Sequence, residues 1–274
     1  MGKLDVEPAG PMGPGSQNDS GDRDFVTALA RGLRILQVFR SGEERLSNAD
    51  LAQRCGLPRS TVARLTHTLT RVGFLHQVEN HGRYRLGLAT LTLGRSMLGS
   101  LDFRDAGGEL LQQLANDTRA MVAVGIRDEF SVLYVDARRS QSTSVTLNLG
   151  VGSRLPLTTT AIGLTHILMM AGAERKTVLG RIKALDSAAW PSVEAAIELA
   201  GVEMREWGCV TSFGKWKTEI NGIAVPLDLG DSFPAVAVNV AAPNSTLKPA
   251  QFMGEIRERL LDMKQKIEAL HRSA

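Results

Sequence analysis

The stretch from Pro58 to Val72 carries residues of two kinds at helical spacing. Val62, Leu65, Leu69 and Val72 recur at intervals of three, four and three, which lines one face of a helix. Arg59, Ser60, Thr61, Arg64 and Thr68 fall on the opposite face, with Arg71 one turn further on. A guanidinium presents paired donors that match guanine O6 and N7, and hydroxyls bond bases or phosphates. This face is therefore equipped to read base edges through Arg59, Ser60, Thr61 and Arg64. Thr68 and Arg71 sit where phosphate contacts would fall.

The parts of an enzyme are missing from the sequence. The five histidines are His67, His76, His81, His166 and His271, and none forms H-x-x-x-H or pairs with Asp or Cys at ligand spacing. No G-x-S-x-G, P-loop or G-x-G-x-x-G motif opens a helix after a strand. We expect no catalytic residue, no metal and no cofactor. Cys55 and Cys209 lie far apart, which is no disulfide framework and suits a reducing compartment. The first twenty residues hold no apolar stretch that would direct secretion. The longest apolar run, Ala161 to Ala173, includes Thr165 and His166 and is too short to span a bilayer. A cytoplasmic protein without a membrane partner is the expectation.

The arginine face needs elements to hold it. Ser47 or Asn48 caps a helix, Asp50 suits its first turn, and Leu51, Ala52 and Cys55 point inward. Gly56 ends that helix and Pro58 opens the next, so the pair is a helix-turn-helix with small Ala52 at the crossing. Phe74 to Val78 and Arg83 to Leu86 form a hairpin about Asn80-His81-Gly82, a wing carrying Arg83 and Arg85. Upstream, Phe25 to Arg40 is a helix with Leu29, Leu33 and Leu36 on its inner face and Arg31 and Arg34 outside. Leu46 pairs with a sheet edge or staples the next helix. Met1 to Asp24 is rich in Gly, Pro, Ser, Asn and Asp and reads as a disordered tail. Charge follows the same division: residues 25–87 hold ten arginines, no lysine and four acidic residues, whereas residues 88–274 hold 20 basic and 20 acidic. The polyanion-binding potential is confined to the first part.

The rest of the 274 residues is long enough for a second domain. Leu88 to Leu101 is an apolar helix through Leu91, Leu93, Met97 and Leu98. Phe103 to Asp117 is a helix. Met121 to Arg127 and Phe130 to Ala137 make a hairpin about Asp128-Glu129, and Val145 to Leu149 is a third strand. Leu155 to Ala161 is a loop leading into a helix through Met170. Helices over 173–181 and 191–207, strands at 208–211, 222–226 and 235–241, and a last helix from Lys248 to His271 complete an α+β domain with a six-strand sheet. Such a sheet offers a pocket beside its loops.

The segments F-V-T-A-L-A-R-G-L-R-I-L-Q-V-F, L-S-N-A-D-L-A-Q-R-C-G-L-P-R-S-T-V-A-R-L and G-R-Y-R-L-G together resemble the IclR family of bacterial transcription regulators. The A-R-G-L segment is most similar to the branch controlling aromatic-acid catabolism. The resemblance implies a winged helix-turn-helix DNA-binding domain over 25–87, a linker helix over 88–102 that helps dimerisation, and a GAF/PAS-like α/β effector-binding domain over 103–274. It implies a homodimer or tetramer on a palindromic operator, with RNA polymerase as a further partner. It also implies an effector pocket at Thr158, Thr159, Thr160, Ala161 and Ile162 of the loop and helix start, with Ser212, Gly222, Asn239 and Ala241 on later strands. Hydroxyls and helix N-terminal amides there suit a small organic or aromatic acid. The family's Gly-x-Arg-Cys is replaced by Glu219-Ile220-Asn221-Gly222. The usual polar anchor is thus absent and Glu219 would repel an acid, which points to a larger or less polar pocket. The implied function is a ligand-responsive regulator of a catabolic operon. The alternative is a constitutive DNA-binding protein whose C-terminal domain only oligomerises.

Overall fold

The structure, a computed structural model, describes residues 24–39, 45–78, 82–99, 103–140, 142, 147–230 and 234–273. The expected tail lies outside these residues apart from Asp24. The described chain forms two compact units that divide between Leu101 and Asp102.

The first unit runs α1 (Thr27–Gln37), β1 (Leu46–Ser47), α2 (Asn48–Cys55), α3 (Arg59–Arg71), β2 (Leu75–Val78), β3 (Arg83–Leu86) and α4 (Leu88–Gly99). Its core is Ile35, Leu46, Leu51, Ala52, Cys55, Val62, Leu75 and Tyr84. Ser47 caps α2 reciprocally: its Oγ accepts from the Asp50 amide at 3.2 Å, while its own amide donates to Asp50 Oδ2 at 2.9 Å. The backbone bond from Ser47, followed by its hydroxyl, holds the Asp50 carboxyl below the usual carboxylate range. Gly56 ends α2 at φ 64, a left-handed conformation that disfavours a Cβ, and donates to the Ala52 and Gln53 carbonyls. Leu46 does pair with a sheet edge, opposite Tyr84, in the antiparallel order β1-β3-β2.

Two inner faces differ from expectation. On α1, Gly32 and Ile35 are buried and Leu36 packs part-buried against the core as expected, while Leu29 and Leu33 are exposed. The helix packs on α3 through Gly32, which lies against Leu65, so a narrower face than the leucine stripe turns inward. On α3, Val62 is buried with Leu65 and Leu69 packed beside it, but Val72 is the exposed C-cap. Thr66 takes the inner position. Its hydroxyl lies 3.0 Å from the Val62 carbonyl and 3.1 Å from Asn48 Oδ1, which ties α3 to the start of α2.

The second unit continues with α5 (Phe103–Thr118), β4 (Met121–Asp128), β5 (Ser131–Arg139), β6 (Arg154–Pro156), α6 (Ala161–Met169), α7 (Gly172–Leu185), α8 (Trp190–Trp207), β7 (Val210–Phe213), β8 (Ile220–Leu227), β9 (Val236–Pro243), α9 (Pro249–Gln251) and α10 (Arg257–Ser273). The six strands form one antiparallel sheet, ordered β6-β5-β4-β9-β8-β7. Strand alternation divides the core. Met121, Ala123, Val132, Val210, Ala224 and Ala237 pack with α6, α7 and α8. The intervening residues, including Val122, Val124, Ile223 and Val238, are buried on the face that α5 and α10 cover.

The third strand is a correction. Val145 and Thr146 lie outside the described residues, and Leu147 to Leu149 make only a single bridge. The strand in that place is β6, which takes in Leu155 and Pro156 of the expected loop and pairs Leu155 with Val132. Arg154 anchors it by an ion pair to Asp128 at the β4–β5 turn. The last helix is also interrupted: a π-helical segment, Phe252–Ile256, separates α9 from α10, with Gly254 off helical geometry.

Candidate functional site

In the first unit, α3 presents Arg59, Ser60, Arg64 and Thr68 to solvent together with Ala63, His67 and Arg71. Thr61 is half-buried beneath them. Pro58 precedes the helix and supplies no side-chain cap, so the first-turn amides are open to an anion. On the wing, Tyr84 faces the core and its neighbours Arg83 and Arg85 are exposed on the outer face. His76 is paired across the strands with Arg85 and shares that face. An exposed helix with arginines in its first two turns, followed by a basic hairpin, fits a DNA major groove and its flanking phosphates.

In the second unit, sheet register gathers the other candidates. Ser212 pairs with Gly222, and Gly222 with Ala241, so one row crosses β7, β8 and β9. Asn239 sits between Ala224 and Ala123 in the adjacent row. Thr160, Ala161 and Ile162 at the start of α6 complete the wall of a cavity of ≈ 20 Å³ against this face. That volume holds about one water, so a larger ligand must displace lining side chains.

Thr160 is the N-cap of α6. Its hydroxyl donates to the Pro156 carbonyl at 2.7 Å and accepts from the Gly163 amide at 3.1 Å. The helix itself does not use the amides of Ala161 and Ile162. Gly163 is required by close approach, because a Cβ there would lie 2.4 Å from the Leu157 carbonyl oxygen.

Thr158 and Thr159 do not line the cavity. They lie in the turn that precedes the cap, and β6 has already ended at Pro156. Thr159 contributes its carbonyl, which accepts from the Ser212 hydroxyl at 2.8 Å. Glu219 also lies outside the cavity lining. Its carboxylate accepts from the Thr218 hydroxyl at 2.9 Å, which holds its pKa below the ordinary value. The carboxylate stays charged, outside the residues that line the cavity.

Sequence reasoning missed Tyr134, Leu149, Leu155, Trp216 and Ile220, all of which line the cavity. Tyr134 reaches it because β4 opposes only small residues, Ala123 and Gly125, and its register with β5 shifts between Val124 and Gly125. Trp216 comes from the β7–β8 turn. Its aromatic character beside two lysines was the available signal, and Lys217 lies 5.6 Å from its ring centre.

The cavity holds buried polar atoms without partners. The Tyr134 hydroxyl and Asn239 Oδ1 are both buried and make no hydrogen bond. Burial pushes the Tyr134 hydroxyl pKa far above its usual value. Asn239 is near enough to oppose that shift, but the two groups do not meet in hydrogen-bond geometry. Such atoms are costly unless a ligand or water completes them.

His166, on the apolar helix α6, is a buried structural histidine whose Nε2 donates to the Gly125 carbonyl at 3.1 Å. Desolvation lowers its pKa from 6.5 to about 4. The folded chain favours the neutral ring, so the stability from its burial is complete above pH 6.5 and is lost as pH falls toward 4. The loss is roughly 3 kcal/mol across that window. Urea melts at pH 7, 5.5 and 4.5 are expected to show a smaller pH dependence in His166→Gln than in the native chain. Equal slopes would contradict this account. Among the described residues, no group of His, Cys, Asp or Glu could hold a metal ion.

Two family models match the chain: the IclR helix-turn-helix domain over residues 28–79 and the bacterial transcriptional regulator IclR C-terminal domain over 95–269. The HTH-type transcriptional regulator TsaQ1/TsaQ2 of Comamonas testosteroni is 29% identical over 252 residues, covering 91% of this chain and 90% of that protein. The crystal structure of an IclR family transcriptional regulator from Brucella abortus superposes with a TM-score of 0.83 at 34% identity, covering 93% of this chain and 96% of the other. An IclR homolog from Microbacterium hydrocarbonoxydans, solved in complex with 4-hydroxybenzoate, shares the fold at TM-score 0.72 and 21% identity, covering 90% and 100%. With an exposed arginine helix on one unit and an incompletely satisfied cavity in the other, the chain belongs to the IclR family of bacterial transcription regulators, DNA-binding proteins that respond to a small ligand.

Proposed function

We propose that this regulator grips operator DNA through α3 and the wing as a homodimer, and that an aromatic carboxylic acid in the α6 cavity changes that grip. The observation that carries the proposal is the cavity itself: open α6 amides, orphaned hydroxyl and amide atoms, and apolar walls that include an indole ring. Amides at a helix start favour an anionic group, and the apolar walls favour a ring. The complex of a fold relative with 4-hydroxybenzoate agrees with this class. Arg59, Ser60, Thr61 and Arg64 read bases, while Thr68, Arg71, Arg83 and Arg85 hold phosphates. The ligand is bound and released unchanged, and the protein works in the cytoplasm. No helix among the described residues is long and apolar enough to cross a membrane.

A second copy accounts for the apolar surface of the first unit. α4 has no buried residue, and Leu88 and Leu91 are 84% and 70% exposed. Val26 just before α1 and Leu29 and Leu33 on it are exposed as well. Apolar surface on this scale marks an interface, and a two-fold dimer places two recognition helices on two half-sites. The variant Leu29→Glu/Leu91→Glu is expected to weaken dimerisation and lower operator affinity at least tenfold. Sedimentation velocity beside DNA titration checks it, and an unchanged dimer would remove α1 and α4 from the interface. The ligand need favour one dimer arrangement by only about 1–3 kcal/mol to switch DNA binding. Titrating operator DNA with and without 4-hydroxybenzoate tests the proposal.

A further inference from the structure

We propose that His67 and His76 hold DNA phosphates in their charged form, so that gripping DNA takes up protons and the grip tightens as pH falls from 8 to 6. This rests on α3 and the wing being the DNA-binding surface. It adds two residues and a dependence on pH to that surface.

The turn of α3 places the first histidine. Val62 and Thr66 are buried, with Leu65 and Leu69 packed on the same side. The side turned furthest from them is the row Ser60, Arg64, His67 and Arg71, spaced four, three and four, and all four are exposed. His67 therefore stands in line between two arginines. At a rise of 1.5 Å per residue it lies about 12 Å along the helix from Arg59, and the major groove is about 12 Å wide. A helix whose first turns read base edges thus carries His67 to the lip of the groove, where the phosphates run.

The wing places the second. Leu75 is buried and His76 is exposed on the other side of β2. Its partner across the ladder is Arg85. Cross-strand neighbours have their Cβ atoms about 5 Å apart, so a phosphate held by Arg85 is within reach of His76.

Charge decides what these rings do. α3, β2 and β3 carry Arg59, Arg64, Arg71, Arg83 and Arg85 and no Asp or Glu. Behind α3, α1 brings Arg31 and Arg34, and α2 brings Asp50 and Arg54. The Asp50 carboxylate is already engaged by the Ser47 amide and hydroxyl. The anions for two imidazolium rings therefore come from DNA. A phosphate favours the charged ring, and histidine is the side chain whose charge ordinarily changes between pH 5 and 8. A ring that is neutral in the free chain and charged on DNA takes up a proton on binding. The affinity it adds is present at low pH and is lost as pH rises. Each charged ring also displaces about one counterion, so the salt dependence steepens with it.

Fluorescence anisotropy of the full-length protein tests this, on DNA from upstream of its own gene and on scrambled DNA, at pH 6, 7 and 8 and across salt. Native affinity for both DNAs is expected to rise about tenfold or more from pH 8 to pH 6, with a salt slope steeper by about one to two counterions at pH 6. His67→Gln/His76→Gln should match the native chain at pH 8 and change less than about threefold with pH. His67→Lys/His76→Lys, charged throughout, should bind at pH 8 about as tightly as the native chain at pH 6. Both variants keep His166, so its titration cancels in the comparison. An equal pH response in the native chain and the glutamine variant would overturn the proposal. So would a pH response with an unchanged salt slope, or a lysine variant that binds no better than the glutamine one, because either removes the phosphates from the two rings. Native protein that binds neither DNA at any pH would overturn α3 and the wing as the DNA-binding surface, and the histidine contacts with it.

Discussion

Replacing Gly163 by alanine is expected to destabilise the second unit by about 1–3 kcal/mol through overpacking, with about 1 kcal/mol more if the helix cap is lost. The added Cβ would lie 2.4 Å from the Leu157 carbonyl oxygen and 2.5 Å from that of Pro156. These are backbone atoms, and no rotamer change relieves them. The same carbonyl of Pro156 accepts from Thr160, whose hydroxyl caps the Gly163 amide. Moving the loop away therefore breaks the cap and displaces Ala161 and Ile162 from the cavity. Ligand response should be lost together with stability. Gly180→Ala is the matched control, because nothing lies within 4 Å of a Cβ at that exposed position of α7. That change should leave stability unaltered or raise it by about 0.5–1 kcal/mol. Urea denaturation of both variants checks the contrast, and equal stabilities would refute the close-packed α6 start.

The largest expected loss of function follows from Arg59→Ala/Arg64→Ala. Each arginine that reads a guanine contributes about 1–3 kcal/mol of discrimination. Both side chains are exposed and away from the core of the unit, so folding should be unaffected. The double variant is expected to lose operator affinity by a factor of 30 or more while its affinity for scrambled DNA falls far less. Arg83→Ala should behave differently: a uniform loss on all sequences, with the salt dependence reduced by about one counterion. A uniform loss for the α3 variant as well would make those arginines phosphate contacts.

Local chemistry made the first unit legible. The Ser47 and Asp50 cap, Gly56 and the α3 stripe are each decided within four residues, and each stands as its spacing implied apart from Val72. The face of α1 was not legible. Of the leucine stripe only Leu36 packs on the core; α1 approaches α3 through Gly32, and only tertiary context reveals that a glycine makes the contact. In the second unit, the helices and strands followed from local pattern apart from β6 and the break in the last helix, whereas the cavity depended on long-range register. Ser212, Gly222 and Ala241 meet because three strands align them. Tyr134 joins them through a register shift on a neighbouring strand. Consecutive threonines looked equivalent in sequence, but only the one at the cap faces the cavity. Glu219 looked like an obstacle to an acid in sequence, but it lies outside the cavity lining, beside Thr218.

The central claim is that occupation of the α6 cavity changes DNA binding by α3 and the wing. Fluorescence anisotropy tests it most directly, using DNA from immediately upstream of the protein's own and adjacent genes, with scrambled DNA as the reference. The titration is run across salt and repeated with saturating 4-hydroxybenzoate. The account predicts selective, salt-sensitive binding whose Kd moves by about 5- to 150-fold when the acid is added. It also predicts that Gly163→Ala binds the same DNA but no longer responds. Selective binding that the acid leaves unchanged, although calorimetry shows the cavity filled, would contradict the coupling between the two units.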